Sequence, residues 1–165
     1  MQISLIAAIG KNGVIGANGK MPWRRIPADM RRFRELTAGK PVVMGRKTFE
    51  SLGRKPLKGR LNVVLSRDRR YEAPNCLLLH SIADVLKVLA GYEEVMVIGG
   101  AEIYRAFLPH ASRIYLTVIA LQFREGDTFF PPVDWPKWRV VEGQTVKKGP
   151  TTPYNLWFGV LEAKP

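Results

Sequence analysis

Cysteine and histidine are nearly missing from this chain of 165 residues: Cys76 stands alone, and His80 and His110 are the only histidines. A single cysteine excludes an intrachain disulfide and any metal site built from several thiolates. Neither histidine has zinc-type spacing or an evident nucleophile beside it, so both read as surface or loop residues. The usual parts of hydrolases and metalloenzymes are therefore lacking, and no metal is expected. Long apolar runs are also missing. Leu5 to Ile9 and Val95 to Ile98 fall far short of the roughly 20 residues that a membrane helix needs. Met1-Gln2-Ile3-Ser4 opens without a basic segment and the first apolar run ends at Gly10, so no secretory signal is expected and the chain reads as cytoplasmic. Acid is scarce too. Against 26 Lys and Arg there are 14 Asp and Glu, a formal charge of +12.

What is present is ordinary for one soluble domain over residues 1–165: 46% hydrophobic and 24% charged residues. The basic residues are uneven, however. Residues 24 to 70 hold 15 of the 26, with only Asp29, Glu35, Glu50 and Asp68 as acids. Such a half suits anionic partners, either nucleic acid or phosphorylated and carboxylated small molecules.

Asp29 is the informative acid. Pro27 to Leu36 reads as a helix with proline in its first turn. Asp29, Phe33 and Leu36 stand at i, i+4 and i+7 and share a face, with Arg31, Arg32, Arg34 and Glu35 assigned to the other side. A carboxylate on an apolar face needs a donor or cation, because burying it alone is costly. The simpler reading is that Asp29 only favours the positive end of the helix dipole.

Ile3 to Ile9 reads as a central strand covered on both faces. The following loop, with glycine at positions 10, 13, 16 and 19, reads as a flexible lid. Three further strands each run into polar or glycine-rich chemistry. Val42 to Met44 leads to Gly45-Arg46-Lys47-Thr48 and a short helix, Phe49 to Leu52. Leu61 to Leu65 leads to Ser66-Arg67, and Val95 to Ile98 leads to Gly99-Gly100 and a helix, Ala101 to Leu108. Ile82 to Leu89 reads as a helix capped by Ser81. This alternation predicts an α/β fold with a largely parallel sheet. Arg113 to Ala120, Trp138 to Val141 and Tyr154 to Leu161 are strand candidates joined by loops, which predicts antiparallel strands at one edge.

Open α/β sheets bind ligands beyond the carboxyl ends of their strands. There stand Arg46, Lys47 and Thr48, then Ser66 and Arg67, then Gly99 and Gly100. Strand, glycine pair and helix start make an anion site, and two such starts suit a pyrophosphate, with Arg67 free for a further phosphate. No G-x-G-x-x-G fingerprint or ribose-binding acid is present, and basic residues at the ribose end favour NADP over NAD.

The segments Leu5 to Ala8, Val14-Ile15-Gly16, Met21-Pro22-Trp23, Pro27-Ala28-Asp29, Val43 to Ser51, Pro56 to Arg60, Val97 to Tyr104 and Glu125 to Pro131, in this order and spacing, resemble the dihydrofolate reductases of the bacterial chromosomal type. The resemblance runs along essentially the whole chain. It implies a single α/β domain with a central mixed, mostly parallel eight-stranded sheet, an antiparallel C-terminal edge and about four flanking helices. It also implies NADPH-dependent reduction of 7,8-dihydrofolate to tetrahydrofolate, serving one-carbon metabolism and thymidylate synthesis. Hydride would pass to pterin C6 and a water-borne proton to N5. The cofactor carries the hydride, so the protein needs only positioning and electrostatics.

By the same resemblance Asp29 would bind the pterin, with Thr117 hydrogen-bonded to it, Trp23 orienting a water and Tyr104 near the reacting centre. Ile6, Ala7, Met30, Phe33, Leu52, Leu57 and Ile98 would line the substrate pocket, and Arg60 would pair with the glutamate α-carboxylate. Ala8 and Ile15 would offer backbone groups to the nicotinamide carboxamide. Arg46, Ser66 and Arg67 would take the adenosine 2′-phosphate. Lys47, Thr48, Gly99 and Gly100 would serve the pyrophosphate, and the Gly99–Gly100 peptide would be cis. Gly16, Met21, Gly45, Leu65, Ala101, Glu102 and Ile103 would also bind the cofactor. Asp127 would engage the backbone of the Gly16 to Asn18 loop. Antifolate inhibitors are expected ligands, nucleic acid and membrane are not expected partners, and the chain is expected to be a monomer.

Two departures from the common bacterial pattern stand out. One extra residue lies within Arg24-Arg25-Ile26 and another within Gly53-Arg54-Lys55-Pro56, both on loops. Two other readings compete. A basic nucleic-acid module would need aromatics interleaved with its cations, and the aromatics here fall in core patterns. A pyrimidine or pteridine reductase of riboflavin synthesis shares the fold, but Asp29 beside Trp23, with Thr117, matches a pterin site.

Overall fold

The computed structural model describes residues 1–165. The apolar run at the start becomes strand β1 (Gln2–Gly10), and its alternation decides the layers. Ile3, Leu5, Ala7 and Ile9 point to one side of the sheet and pack with Val85, Leu89, Tyr104 and Phe107. Ile6 points to the other, with Phe49 and Met96, against which Phe33 and Leu36 lie. A strand with both faces covered must be apolar on both, which is why the run is nearly continuous.

The remaining elements follow in chain order. They are β2 (Val14–Gly16), helix α1 (Pro27–Thr37), β3 (Val42–Gly45), α2 (Arg46–Ser51), β4 (Asn62–Leu65), β5 (Leu77–Leu79), α3 (Ile82–Val88), β6 (Glu94–Gly99) and α4 (Ala101–Phe107). After these come β7 (Arg113–Ile119), β8 (Thr128–Phe129), β9 (Trp138–Val146) and β10 (Leu156–Ala163). Eight strands form one sheet in the order β5-β4-β3-β6-β1-β7-β10-β9. The first six are parallel to one another, and β10 and β9 add on antiparallel, as expected. Helices α3 and α4 cover one face, α1 and α2 the other.

The Ser81 cap holds: its hydroxyl accepts from the Asp84 amide at 3.0 Å. Helix α2 starts three residues before the expected Phe49, at Arg46, directly on the end of β3. The glycine-spaced loop differs more. Its centre is strand β2, paired with β8 in a separate two-stranded ribbon. Asp127 ties the ribbon to the loop beyond. Its Oδ2 accepts from the Asn18 amide at 2.9 Å and its own amide donates to Gly16 at 3.0 Å. A Cβ at Gly126 would fall 2.3 Å from Val14, so only glycine lets the two segments close.

The extra residues also have structural uses. Ile26 is buried, and the Arg24 amide donates to the Tyr154 hydroxyl at 2.9 Å. Arg54 donates to the Tyr71 hydroxyl at 2.9 Å and to the Glu72 carbonyl at 2.6 Å, clasping its loop to the one after β4.

The amino ends of the central strands carry a charged cluster. Glu94 accepts from Ser4 at 2.6 Å, Lys40 at 2.7 Å and Tyr115 at 2.9 Å, while Arg113 pairs with Glu162 at 2.9 Å. Burial alone would raise the Glu94 carboxyl, but the bonds from Lys40, Ser4 and Tyr115 outweigh it and hold it below the ordinary value. A depressed carboxyl stabilises the fold above its unfolded value and loses that contribution as pH falls. Glu94→Gln should therefore cost about 2–3 kcal/mol at pH 7. Chemical denaturation across pH checks this, and the difference from wild type should shrink once pH drops below the ordinary glutamate value of 4.5.

Candidate active site

The register of β1 with β7 sets Ala8 beside Thr117. Thr117 is buried, and its hydroxyl donates to Asp29 Oδ1 at 2.7 Å. Asp29 is thus more than a dipole partner, because its carboxylate is turned onto the sheet. Burial pushes its carboxyl up, opposed by the Thr117 bond and by the charge of Arg32. Oδ2 accepts no hydrogen bond from the protein, and Asp29 lines a cleft of about 390 Å³ with Lys20, Met21, Trp23, Arg24, Arg25, Ile26 and Met30. A half-satisfied carboxylate in a partly apolar cleft can accept hydrogen bonds from a ligand's N–H groups. Met21 and Met30 are 66% and 43% exposed, and Leu52 is exposed as well, an apolar rim of the kind a ligand covers. Trp23 is fixed against Phe123, ring centroids 5.4 Å apart.

Tyr104 reaches the same strands from the opposite face. Its buried hydroxyl lies 2.7 Å from the Ile6 carbonyl and 2.9 Å from that of Ile98, and a single proton serves the two. Burial and then the charge of Asp29 push this hydroxyl far above the ordinary tyrosine range, so Tyr104 stays neutral.

Beyond β3 and β6 the backbone makes a second region. Gly99–Gly100 is a cis peptide, as the resemblance implies, and Gly99 has φ +115°. A Cβ at Gly99 would stand 3.1 Å from the Tyr104 ring, and one at Gly45 would stand 2.9 Å from Ile103 Cγ1. Glycine at both positions lets the starts of α2 and α4 come together, with Thr48 beside Gly100. Arg46 pairs with Glu50 at 3.4 Å, whereas Lys47 and Arg67 are exposed and make no ion pair within the protein. Ser66 and Arg67 follow the end of β4, where Leu65 is paired with Leu79 of β5. His80 donates from Nδ1 to the Ser66 carbonyl at 2.8 Å and so braces this turn, a role that its position in the sequence does not announce.

Arg60, just before β4, donates to Thr37 at 2.9 Å from Nη1 and to the Lys58 carbonyl at 2.9 Å from Nε. Burial and the neighbouring Arg34 charge both lower its affinity for its proton, which makes an anion a favourable guest there. Phe33 and Leu57 pack on the apolar layer behind it. One helix residue departs from its expected place. Arg32, assigned to the solvent side, folds back onto the sheet and lies 4.8 Å over the Phe158 ring. Its position three residues after Asp29 is the signal that marks it as a neighbour of that carboxylate. No group of three or more His, Cys, Asp or Glu is placed to hold a metal, and no helix is long and apolar enough to cross a membrane.

A mixed, mostly parallel sheet with a carboxylate cleft and a glycine-rich, cationic carboxyl edge is the arrangement of an open-sheet α/β ligand-binding protein. The family model described as dihydrofolate reductase matches residues 2–163. The chain is 42% identical over 164 residues to the dihydrofolate reductase of Haemophilus influenzae, covering 99% of this chain and 100% of that one. It is 48% identical over 161 residues to a type 3 dihydrofolate reductase of Salmonella typhimurium, covering 98% of each. The solved structure of dihydrofolate reductase from Enterococcus faecalis, complexed with NADP(H) and RAB-propyl, superposes with a TM-score of 0.92 at 34% identity, over 99% of this chain and 97% of that one. The chain belongs to the dihydrofolate reductase family of NADPH-dependent oxidoreductases.

Proposed function

We propose that the protein reduces 7,8-dihydrofolate to 5,6,7,8-tetrahydrofolate at the Asp29 cleft, as a single domain over residues 1–165 acting as a cytoplasmic monomer. The observation that carries this reading is the Asp29 carboxylate itself, held by Thr117 at 2.7 Å with Oδ2 left for a ligand. Asp29 accepts from the ring N–H and amino group of the pterin, and its charge favours a proton on N5. Trp23 orients the water that delivers this proton, and Thr117 keeps the carboxylate aimed. Ile6, Ala7, Met30, Phe33, Leu52, Leu57 and Ile98 exclude solvent from the pterin and benzoyl rings, while Arg60 takes the α-carboxylate. Antifolates that share the pterin's N–H pattern would compete for the same carboxylate.

The residues present fit NADPH. Glycine at 45 and 99 lets the starts of α2 and α4 come together, with Thr48 beside Gly100, and Lys47 and Arg67 are cations without protein partners. When bound, NADPH supplies the hydride that goes to C6 of the pterin. Ala8, Ile15, Gly16 and Met21 would hold the carboxamide end. Gly45, Lys47, Thr48 and the Gly99 to Ile103 turn would hold the pyrophosphate, and Arg46, Leu65, Ser66 and Arg67 the 2′-phosphate end. Optical measurement of NADPH oxidation with and without dihydrofolate tests the reading. Oxidation that depends on dihydrofolate is expected, and its absence from a folded, NADPH-binding protein would discard the substrate.

A further inference from the structure

The cleft chemistry does not use Arg32, yet its guanidinium is the cation nearest in sequence to Asp29 on the sheet side of α1. Nη2 donates to the Gly159 carbonyl at 3.1 Å, and Nη1 lies 3.4 Å from Thr117 Oγ1 and 3.5 Å from the Leu116 carbonyl. The Thr117 hydroxyl has one proton, and it is given to Asp29 at 2.7 Å. Its lone pairs therefore face the guanidinium, and the order runs from Arg32 N–H to Thr117 O–H to the Asp29 carboxylate. Each bond polarises the next in the direction that favours negative charge on Asp29. The two lengths limit the separation of guanidinium nitrogen and carboxylate oxygen to about 6 Å, the range over which an opposite charge favours ionisation.

Arg32 is also held in place. It stacks on Phe158 and sits in a depression of about 200 Å³ lined by Glu142, Gly143, Gln144, Phe158 and Val160, away from the Asp29 cleft. We propose that Arg32 is a positioning residue that keeps Asp29 charged and aimed from behind, through the Thr117 hydroxyl. This rests on the pterin-binding reading of Asp29. The groups that face the pair are few. Asp29 meets Arg32 on its own helix, Thr117 on β7 and the neutral Tyr104 on α4, with Lys20, Arg24 and Arg25 along the cleft wall. Arg32 meets Glu142 on β9 and Tyr115 on β7 besides Asp29. Burial would weaken the charge of both Arg32 and Asp29, and each offsets this for the other. Glu142 competes with Asp29 for the same guanidinium.

The test is carbon NMR titration of the Asp29 carboxyl in the free protein, assigned by its loss in Asp29→Asn, together with kcat and KM for dihydrofolate across pH. In Arg32→Gln the Asp29 midpoint should move to higher pH. KM should rise about tenfold at the acid end of the profile while kcat changes by less than about threefold, and the KM difference should close as pH is raised. Arg32→Lys keeps the charge and should recover most of the shift. Glu142→Gln should move the midpoint the other way, and it leaves the folded core untouched if Arg32→Gln does not fold. An unmoved Asp29 midpoint in Arg32→Gln, or an equal shift in Arg32→Lys, would overturn the proposal. The titration needs no substrate, so it stands apart from the oxidation assay: a failed assay discards the pterin reading, and an unmoved titration discards the role of Arg32.

Discussion

Asp29→Asn should lower kcat/KM for dihydrofolate by about 10²–10³ at neutral pH, while the protein melts at a higher temperature than wild type. The two effects have one origin. Burial raises the Asp29 carboxyl above its ordinary value of 3.8, so at neutral pH the folded state holds a charge that it disfavours. A raised carboxyl costs stability progressively as pH climbs through and beyond its unfolded value, and the cost disappears when pH falls below it. Asparagine keeps an oxygen for the Thr117 hydroxyl and removes the charge, so stability rises. On the proposed reading, the same change removes the anion that would bind the pterin and the field that would draw a proton to N5. With N5 then protonated only from solution, the activity deficit should shrink as pH is lowered. Steady-state rates and melting curves for the two proteins, each across pH, check all three statements. Near wild-type turnover at pH 7 would remove Asp29 from its assigned role, and a lower melting temperature would contradict the strained-carboxylate account.

The parts of this site that the sequence reveals are those with local causes. An acid at i on a helix whose i+4 and i+7 residues are apolar must turn toward the sheet, and Asp29 does. Polar or glycine-rich turns after apolar runs mark the carboxyl edge of a parallel sheet, and Gly45, Ser66 and Gly99 all stand there. The parts it conceals depend on distant partners. Strand β2 has three residues and β8 two, each with glycine or polar neighbours, and only their pairing across more than a hundred residues makes them strands. Strand β9 runs five residues past its expected end at Val141, because Glu142-Gly143-Gln144 on an exposed edge carries no apolar alternation. Thr117 reads as a plain strand former until the register places it beside Ala8 and under Asp29. Arg32 was obscured by its company, since three other charged residues nearby do face solvent. Its i+3 spacing from Asp29 was the legible clue, while the partners that fold it inward, Gly159 and Phe158, lie more than a hundred residues away.

Arg67→Ala should raise KM for NADPH by about 30–100-fold at low ionic strength and leave KM for NADH within about threefold. The two cofactors differ only in the 2′-phosphate, so the ratio isolates whatever meets that group. Arg67 is suited to it by position and by isolation. The turn that carries it is pinned from two sides, by the Ser66 amide donating to Leu79 at 3.1 Å and by His80 donating to the Ser66 carbonyl at 2.8 Å. The adjacent acid, Asp68, is occupied by the Arg70 amide at 2.9 Å and does not neutralise the guanidinium. Arg46, by contrast, shares its charge with Glu50 at 3.4 Å, so Arg46→Ala should cost less than Arg67→Ala. Because the site is exposed, the Arg67 effect should decline as salt is raised past about 0.1 M, where the screening length falls to about 10 Å. Titration of both cofactors into both variants at two salt concentrations supplies the comparison. Equal losses for NADPH and NADH would place Arg67 away from the 2′-phosphate, and a loss independent of salt would point to a folded-state defect in the turn after β4 rather than to a missing charge.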